Sequence, residues 1–242
     1  MTPAQILYQT GDATWPAAEF LTVGNWTIRK GVGGGQRVSS ATVNGPVTSE
    51  DINVAEEALG ALSQIQLFMI REGDEALDAL LEAKGYRIKD PINLYTCSIE
   101  NLTKIAPERL AAFPIWPPLA IISEIWTEQG INPARQAVMQ RANGPKTAIL
   151  ARQNDRAAGV AYVAIHNSMA MLHALEVVPD QRRQGVANNI MGCAAIWAQN
   201  NGAKDFSVIC VRDNTAANKL YTSLSMENVG HYHYRIKDPQ KG

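Results

Sequence analysis

Apolar and polar residues change rhythm several times along the chain, and each change marks an element. Residues 20–43, "FLTVGNWTIRKGVGGGQRVSSATV", alternate on both sides of a glycine cluster. A period of two belongs to half-buried strands, so this stretch predicts two strands joined by a loop. In "SEDINVAEEALGAL", residues 49–62, apolar positions recur at helical spacing behind Ser49 and an acidic first turn, which predicts a helix. "IQLFMI" reads as a strand, "DEALDALLEAKGY" as a helix closed by Gly85, and "INLYTCSI" as another strand. The proline-rich "APERLAAFPIWPPL" fits neither period and marks a linker at 106–118.

Beyond the linker the pattern predicts helices at 119–128 and 133–142, then strands "KTAILARQ", "RAAGVAYVAIHN" and "MAMLHALEVV". Asn154–Asp155 and Asn167–Ser168 look like tight turns between them. A helix "GVANNIMGCAAIWAQNNG" follows, with Ile190, Ala194 and Trp197 on one stripe and Gly202 closing it. The chain ends as strand "DFSVICV", helix "NTAANKLYTSLS" and strand "ENVGHYHYRIK". This layout predicts an α+β class, with a mixed, mostly antiparallel sheet flanked by helices. Two stacked α+β domains are expected, 1–105 and 119–242.

Composition changes this picture little. The 242 residues are 46% hydrophobic and carry 22 basic and 23 acidic side chains. That balance argues against a general nucleic-acid binder. Cys97, Cys193 and Cys210 form no CxxC pair, and an odd count fits buried thiols in a reducing compartment. The N-terminus lacks the basic and apolar regions of a signal peptide, and no uncharged apolar run approaches the ~20 residues of a membrane span. A cytoplasmic protein without membrane, nucleic-acid or metal partners is expected; a homodimer is compatible with this.

The stretch that asks for chemistry is "VVPDQRRQGVANN", residues 177–189. A strand meets a proline, two arginines, a glycine and a helix start. A helix N-terminus offers unpaired N–H groups and the positive end of the macrodipole. Gly185 admits a bulky anion, Ala187 keeps the next turn small, and Arg182 and Arg183 add charge-assisted hydrogen bonds. The stretch suits a diphosphate. It lacks the Lys-Ser/Thr of a nucleotide P-loop and the GxGxxG of a dinucleotide site. "GVGGGQR" in the first half lies between two strands and reads as a flexible hairpin.

Arg182-x-x-Gly185-x-Ala187 resembles the (Arg/Gln)-x-x-Gly-x-(Gly/Ala) signature of the GCN5-related N-acetyltransferases (GNAT). "HALEVVP" is similar to that family's central strand. "VRDNTAANKLYTSLSMENVGHYHYR" is similar to its closing segment, with Ser225–Met226 where the family often has Gly-Phe. The resemblance covers about 115–237. It implies acetyl-CoA as co-substrate, with the pyrophosphate on Arg182, Arg183, Gln184, Gly185, Val186 and Ala187. The pantetheine arm would lie along Leu175 to Val178, Val177 and Val178 included, and Asn214 and Asn218 would touch the arm. It assigns protonation of the leaving thiolate to Tyr221. The oxyanion would face the Val177 N–H. Glu176, in an otherwise apolar strand, is a candidate base through water, or else a structural partner for an arginine. His173 and His233 are further candidates, with His233 placed at the acceptor pocket beside Arg37.

The first half resembles a degenerate copy. "LFMIREGDEALDALLEAKGYRIKDPINLYTCSI" parallels "VICVRDNTAANKLYTSLSMENVGHYHYRIKDP", with Leu80 or Leu81 opposite Tyr221 depending on the anchor. No phosphate loop precedes its helix. The expected function is acetyl-CoA-dependent N-acetylation of a small amine or amino-acid-like acceptor. Acetylation of a protein N-terminus or lysine, and a non-catalytic acyl-CoA sensor, are the alternatives.

Overall fold

The structure is a computed structural model that describes residues 1–105, 107–108 and 110–237. Ala106 and Arg109 of the expected linker lie outside the described residues, as do Asp238–Gly242. The strands are β1 (Glu19–Val23), β2 (Trp26–Lys30), β3 (Ala41–Val43), β4 (Leu67–Arg71), β5 (Arg87–Ser98), β6 (Ala112–Ile115), β7 (Lys146–Gln153), β8 (Arg156–His166), β9 (Met169–Val177), β10 (Asp205–Val211) and β11 (Glu227–Ile236). The helices are α1 (Pro3–Thr14), α2 (Ser49–Ala61), α3 (Glu75–Ala83), α4 (Ile99–Thr103), α5 (Ala120–Glu128), α6 (Pro133–Arg141), α7 (Val186–Asn200) and α8 (Thr215–Ser223).

All the strands lie in one sheet, ordered β1-β2-β3-β4-β11-β5-β10-β9-β8-β7-β6. The mixed α+β class is as expected: only β3–β4 and β9–β10 pair in parallel among the described residues. The halves are joined edge to edge rather than stacked. β11 pairs with β4, β5 pairs with β10, and the two pair with each other along the seam. Each half of the sheet therefore takes its closing strand from the other half of the chain. The expected division at 106–118 separates two sequence repeats without dividing the sheet.

The repeat itself is sharp. α3 runs 75–83 and α8 runs 215–223, while β5 begins at 87 and β11 at 227, a constant offset of about 140 residues. That offset puts Leu81 opposite Tyr221. Leu81 is fully buried in the core that α2 and α3 make with β2, β3 and β4.

Three elements depart from the sequence pattern. The alternating stretch 20–43 makes three strands, because Gly24–Asn25 already turns the chain between β1 and β2. Part of the expected linker is β6, an edge strand on β7, where Pro114 is tolerated because only one side of the strand is paired. The unpredicted α1 starts in a capping box of Thr2 and Gln5 with Pro3 at the first position. It buries Ala4 and Leu7 in a cluster with Met69, Leu94, Met171 and Tyr232, so it lies across the seam.

Candidate active site

The site lies where the sheet opens. β9 and β10 pair from Met169↔Asp205 to Leu172↔Val208 and no further. Downstream, His173–Val177 stays on β8 while Ile209–Val211 stays on β5. A bulge forces the split: Tyr162 opposes His173 and Val160 opposes Glu176, leaving Ala174 and Leu175 against Ala161 alone. Ala174 takes a left-handed φ of 51°. Its carbonyl accepts a hydrogen bond from the Trp126 indole of α5 at 2.9 Å. The Val178 N–H donates to Ala158 of β8 at 2.9 Å. Its extended neighbour Val177 therefore turns both backbone polar groups the other way, into the cleft. Arg182 Nε donates to that Val177 carbonyl at 3.1 Å.

α7 opens onto one end of the cleft. Gly185 is its N-cap at φ 82°, no side chain caps it, and its first turn has no acidic residue. Arg183 is also left-handed, at φ 60°. Such a loop leaves backbone amides aimed outward as an anion nest. Gly159 on β8 lets the helix start come close. A Cβ there would sit 2.8 Å from the Glu176 carbonyl and 3.1 Å from side-chain atoms of Val186 and Ile190.

A cavity of about 1070 Å³ runs from this loop through the splay to the first half of the chain. Arg182, Arg183, Gly185, Val186 and Ala187 line one end; Leu175, Glu176, Val177 and Asn214 line the middle. Trp15, Gly34, Gly35, Arg37, Tyr232 and Tyr234 line the far end, with Arg135 of α6. Tyr221 faces the cavity from α8, which Asn214 caps by accepting from the Ala217 N–H at 3.1 Å. Burial, then Cys210, Glu176 and Tyr95, push the Tyr221 phenol above its ordinary range, so it keeps its proton. The Tyr95 ring of β5 lies 5.7 Å from it. Burial also raises the Glu176 carboxyl, while Arg182 and Arg135 pull it back.

His173 is buried, and its tautomer follows from its neighbours. Arg37 Nη1 donates to Nδ1 at 3.0 Å, so the proton sits on Nε2 and is donated to Thr14 Oγ1 at 2.8 Å. Thr14 in turn donates to the Thr10 carbonyl at 2.7 Å. Burial first, and Arg37 second, hold the imidazole well below its ordinary pKa. It is neutral and fully engaged, a positioning group for Arg37.

Four expected site residues are not brought to the cavity wall. Asn218 spends its amide inside the protein. Its Nδ2 reaches the carbonyls of Val211, Arg212 and Asn214, and its Oδ1 accepts from Tyr95 and Asn93. Val178 packs into the core beneath α5 and α6. Gln184 turns back to donate to the Asp180 carbonyl at 3.0 Å. His233 faces the other side of β11 and bonds Asp78 of α3 at 2.8 Å. In "HYHYR" it is the tyrosine face that lines the cavity. Strand exchange hides that signal from sequence, since β11 reaches the cleft only through its pairing with β5. Arg135 and Trp15 were also missed; nothing local marks them.

The first half offers no equivalent anion site. The N-terminus of α2 is closed by a reciprocal Thr48–Asp51 capping box, and Glu50 lies beside it. Bonding from Thr48 holds the Asp51 carboxyl below its ordinary range, so a negative charge already occupies that helix start. Among the described residues no cluster of three or more His, Cys, Asp or Glu is placed to hold a metal, and no helix is long and apolar enough to cross a membrane. The three cysteines are buried, and burial pushes each thiol up to about 11.

Residues 114–226 match the acetyltransferase (GNAT) family. The uncharacterized N-acetyltransferase YobR of Bacillus subtilis (strain 168) is 23% identical over 234 residues, covering 93% of this chain and 95% of that protein. A GCN5-related N-acetyltransferase from Kribbella flavida superposes with a TM-score of 0.73 at 15% identity, over 100% of this chain and 98% of that one. A tandem GNAT protein from the clavulanic acid biosynthesis pathway superposes at 0.60 with 11% identity, over 84% and 76% of the two chains. The chain is similar to acyltransferases of the GNAT family, and the segment that matches the family, residues 114–226, is the one that carries the α7 start, the strand splay and Tyr221.

Proposed function

We propose that the protein transfers an acetyl group from acetyl-CoA directly to the amine of a small-molecule acceptor. The observation that carries this reading is that the first half of the chain lines the same cavity as the family-matching segment. Trp15, Gly34, Gly35, Arg37, Tyr232 and Tyr234 line it together with Glu176, and this shapes the acceptor end with fixed side chains suited to a small ligand.

The residues fit the co-substrate. The uncapped start of α7, Gly185 and the two arginines suit a diphosphate, and the Val177 backbone groups suit an amide-bearing arm. When bound, the thioester supplies an activated acetyl group and a thiol leaving group. The Val177 N–H donates to the acetyl oxygen as charge builds on it. Glu176 takes a proton from the acceptor ammonium through water, and its raised pKa suits that role. Tyr221 holds a proton for the departing sulfur. The first half supplies the far wall and no second co-substrate site, because its helix start is capped and Leu81 stands in the tyrosine position.

A screen of amines and amino acids, following thiol release from acetyl-CoA, tests the proposal. Turnover of at least one small acceptor is expected. Turnover confined to peptides, or tight coenzyme A binding with no acceptor in any class, would replace it with the protein-acetylating or the sensing alternative.

A further inference from the structure

We infer that the acceptor carries a carboxylate, docked on Arg37 at the far end of the cavity with Arg135 at its rim. The inference rests on the proposed acetyl transfer for calling the ligand an acceptor; the docking site stands on its own observations.

Arg37 comes from the turn after the glycine loop, and that loop is seated on α6. A Cβ at Gly34 would lie 2.6 Å from Val138 Cγ2, and one at Gly33 3.1 Å from Ala134 Cβ. Gly33 and Gly35 have φ of 74° and 97°, which disfavours side chains there. Only glycines let the loop lie this flat, and the contact puts Arg37 and Arg135 on one wall. Arg37 Nη1 is held by His173, while its buried Nε has no partner among the described residues. The Arg135 side chain has no hydrogen bond or ion pair among the described residues.

No carboxylate hydrogen-bonds to either guanidinium among the described residues, and Glu176 acts on Arg135 only through space. Asp12, whose charge is felt at Arg37, is gripped by Arg29 at 2.7 and 2.9 Å. Glu176 and Asp90 are the acids on the cavity wall, and neither makes an ion pair with Arg37 or Arg135 among the described residues. Tyr232 and Tyr234 bring phenol hydroxyls to the same end. A guanidinium turned away from water without an anion is costly, and a second guanidinium nearby adds repulsion. A carboxylate relieves both and matches the planar fork of donors. The polarity of the wall also orients such a ligand. Its ammonium goes toward Glu176, where the acetyl group is delivered, and its carboxylate toward the arginines. An amino acid has this arrangement of charges.

The probes are the common amino acids, each beside its carboxamide, titrated into the protein saturated with coenzyme A and followed by calorimetry. At least one acid should bind about tenfold or more tightly than its amide, the effect of losing charged hydrogen bonds. Arg37→Gln should erase the preference with coenzyme A affinity retained. Arg135→Gln, at an exposed position, should weaken it in the same direction and serves if Arg37→Gln does not fold. Equal binding of acid and amide, a preference that survives these substitutions, or no binding of any amino acid would overturn the inference. Acid-selective binding without thiol release would instead overturn acetyl transfer and leave the docking site standing. Thiol release with amines irrespective of a carboxylate would do the reverse.

Discussion

Tyr221 and Glu176 illustrate how burial sets chemistry one side chain at a time. Both sit on one cavity wall, and burial is the first cause that favours the protonated form of each. Tyr221→Phe removes only the hydroxyl, so coenzyme A affinity measured by calorimetry should hold. The turnover number should fall by ~10²–10⁴, the usual contribution of a general acid. The acid limb of kcat/KM should lie above the ordinary glutamate range and vanish in Glu176→Gln. His173 gives a stability prediction instead. Its folded pKa is depressed, so the unfolded chain binds the proton first as pH falls. The stability it contributes is present above about 6.5 and is lost progressively below that value. Thermal unfolding of the wild type against His173→Gln should show a difference that shrinks as pH drops through this window. A difference independent of pH would mean that the histidine titrates alike in the folded and unfolded chain and is not held neutral by burial. The loop arginines, Gly185 and Tyr221 were legible in the sequence because one short local pattern carries each of them. Tyr232 was not, because its place depends on a strand pairing that spans the chain.

Elements were legible where periodicity alone decided them and hidden where a neighbour did. α2, α7 and α8 announce themselves by apolar spacing and end signals. α1 has little beyond Thr2, Pro3 and Gln5, and it is stabilised by what it covers: Leu67, Met69, Met171 and Tyr232 from three different strands. β6 looks like linker because Pro114, with Pro117 and Pro118 just after it, masks a strand that only an edge position permits. The meeting of α7 with β8 makes a prediction at this scale. Gly159→Ala places a Cβ 2.8 Å from a backbone oxygen of β9, so the helix or the strand must shift. Overpacking of this kind costs ~1–3 kcal/mol, to be read from denaturant midpoints. The same shift moves Glu176 and the α7 amides relative to each other, so coenzyme A affinity should fall in the folded variant. Gly185→Asp acts on the other side of that start. It has room for the side chain, but φ 82° strains any non-glycine residue and the charge opposes an anion. Affinity should fall by about tenfold or more, and an unchanged value in folded protein would remove the loop from the site.

At the scale of the whole molecule, the exchange of β5 and β11 decides how the chain behaves as a unit. The local order β4-β11-β5-β10 is the same from either end once each strand is replaced by its repeat partner. The seam of the sheet is therefore a ladder between two equivalent strands, running from Glu227↔Thr96 to Ile236↔Arg87. The strand–helix–strand repeat is visible in sequence, yet a repeat gives no sign of whether its strands close their own half or the other. Hydrophobic patterning is the same in both cases, since each position wants a buried strand with the same alternation. The physical consequences differ. A chain cut at the linker leaves 1–105 without the strand that covers β4, and leaves the remainder without the strand that covers β10 and backs Tyr221. Each fragment would expose a long unpaired edge in the middle of its core, which favours association over independent folding. Calorimetry of the intact protein should show one cooperative transition, with the calorimetric and van't Hoff enthalpies equal. Each fragment alone should lack a cooperative transition, and mixing the two should restore the transition together with coenzyme A binding at one equivalent per reconstituted pair. Two resolved transitions in the intact chain, or a second half that folds and binds coenzyme A by itself, would show that the exchanged strands are dispensable.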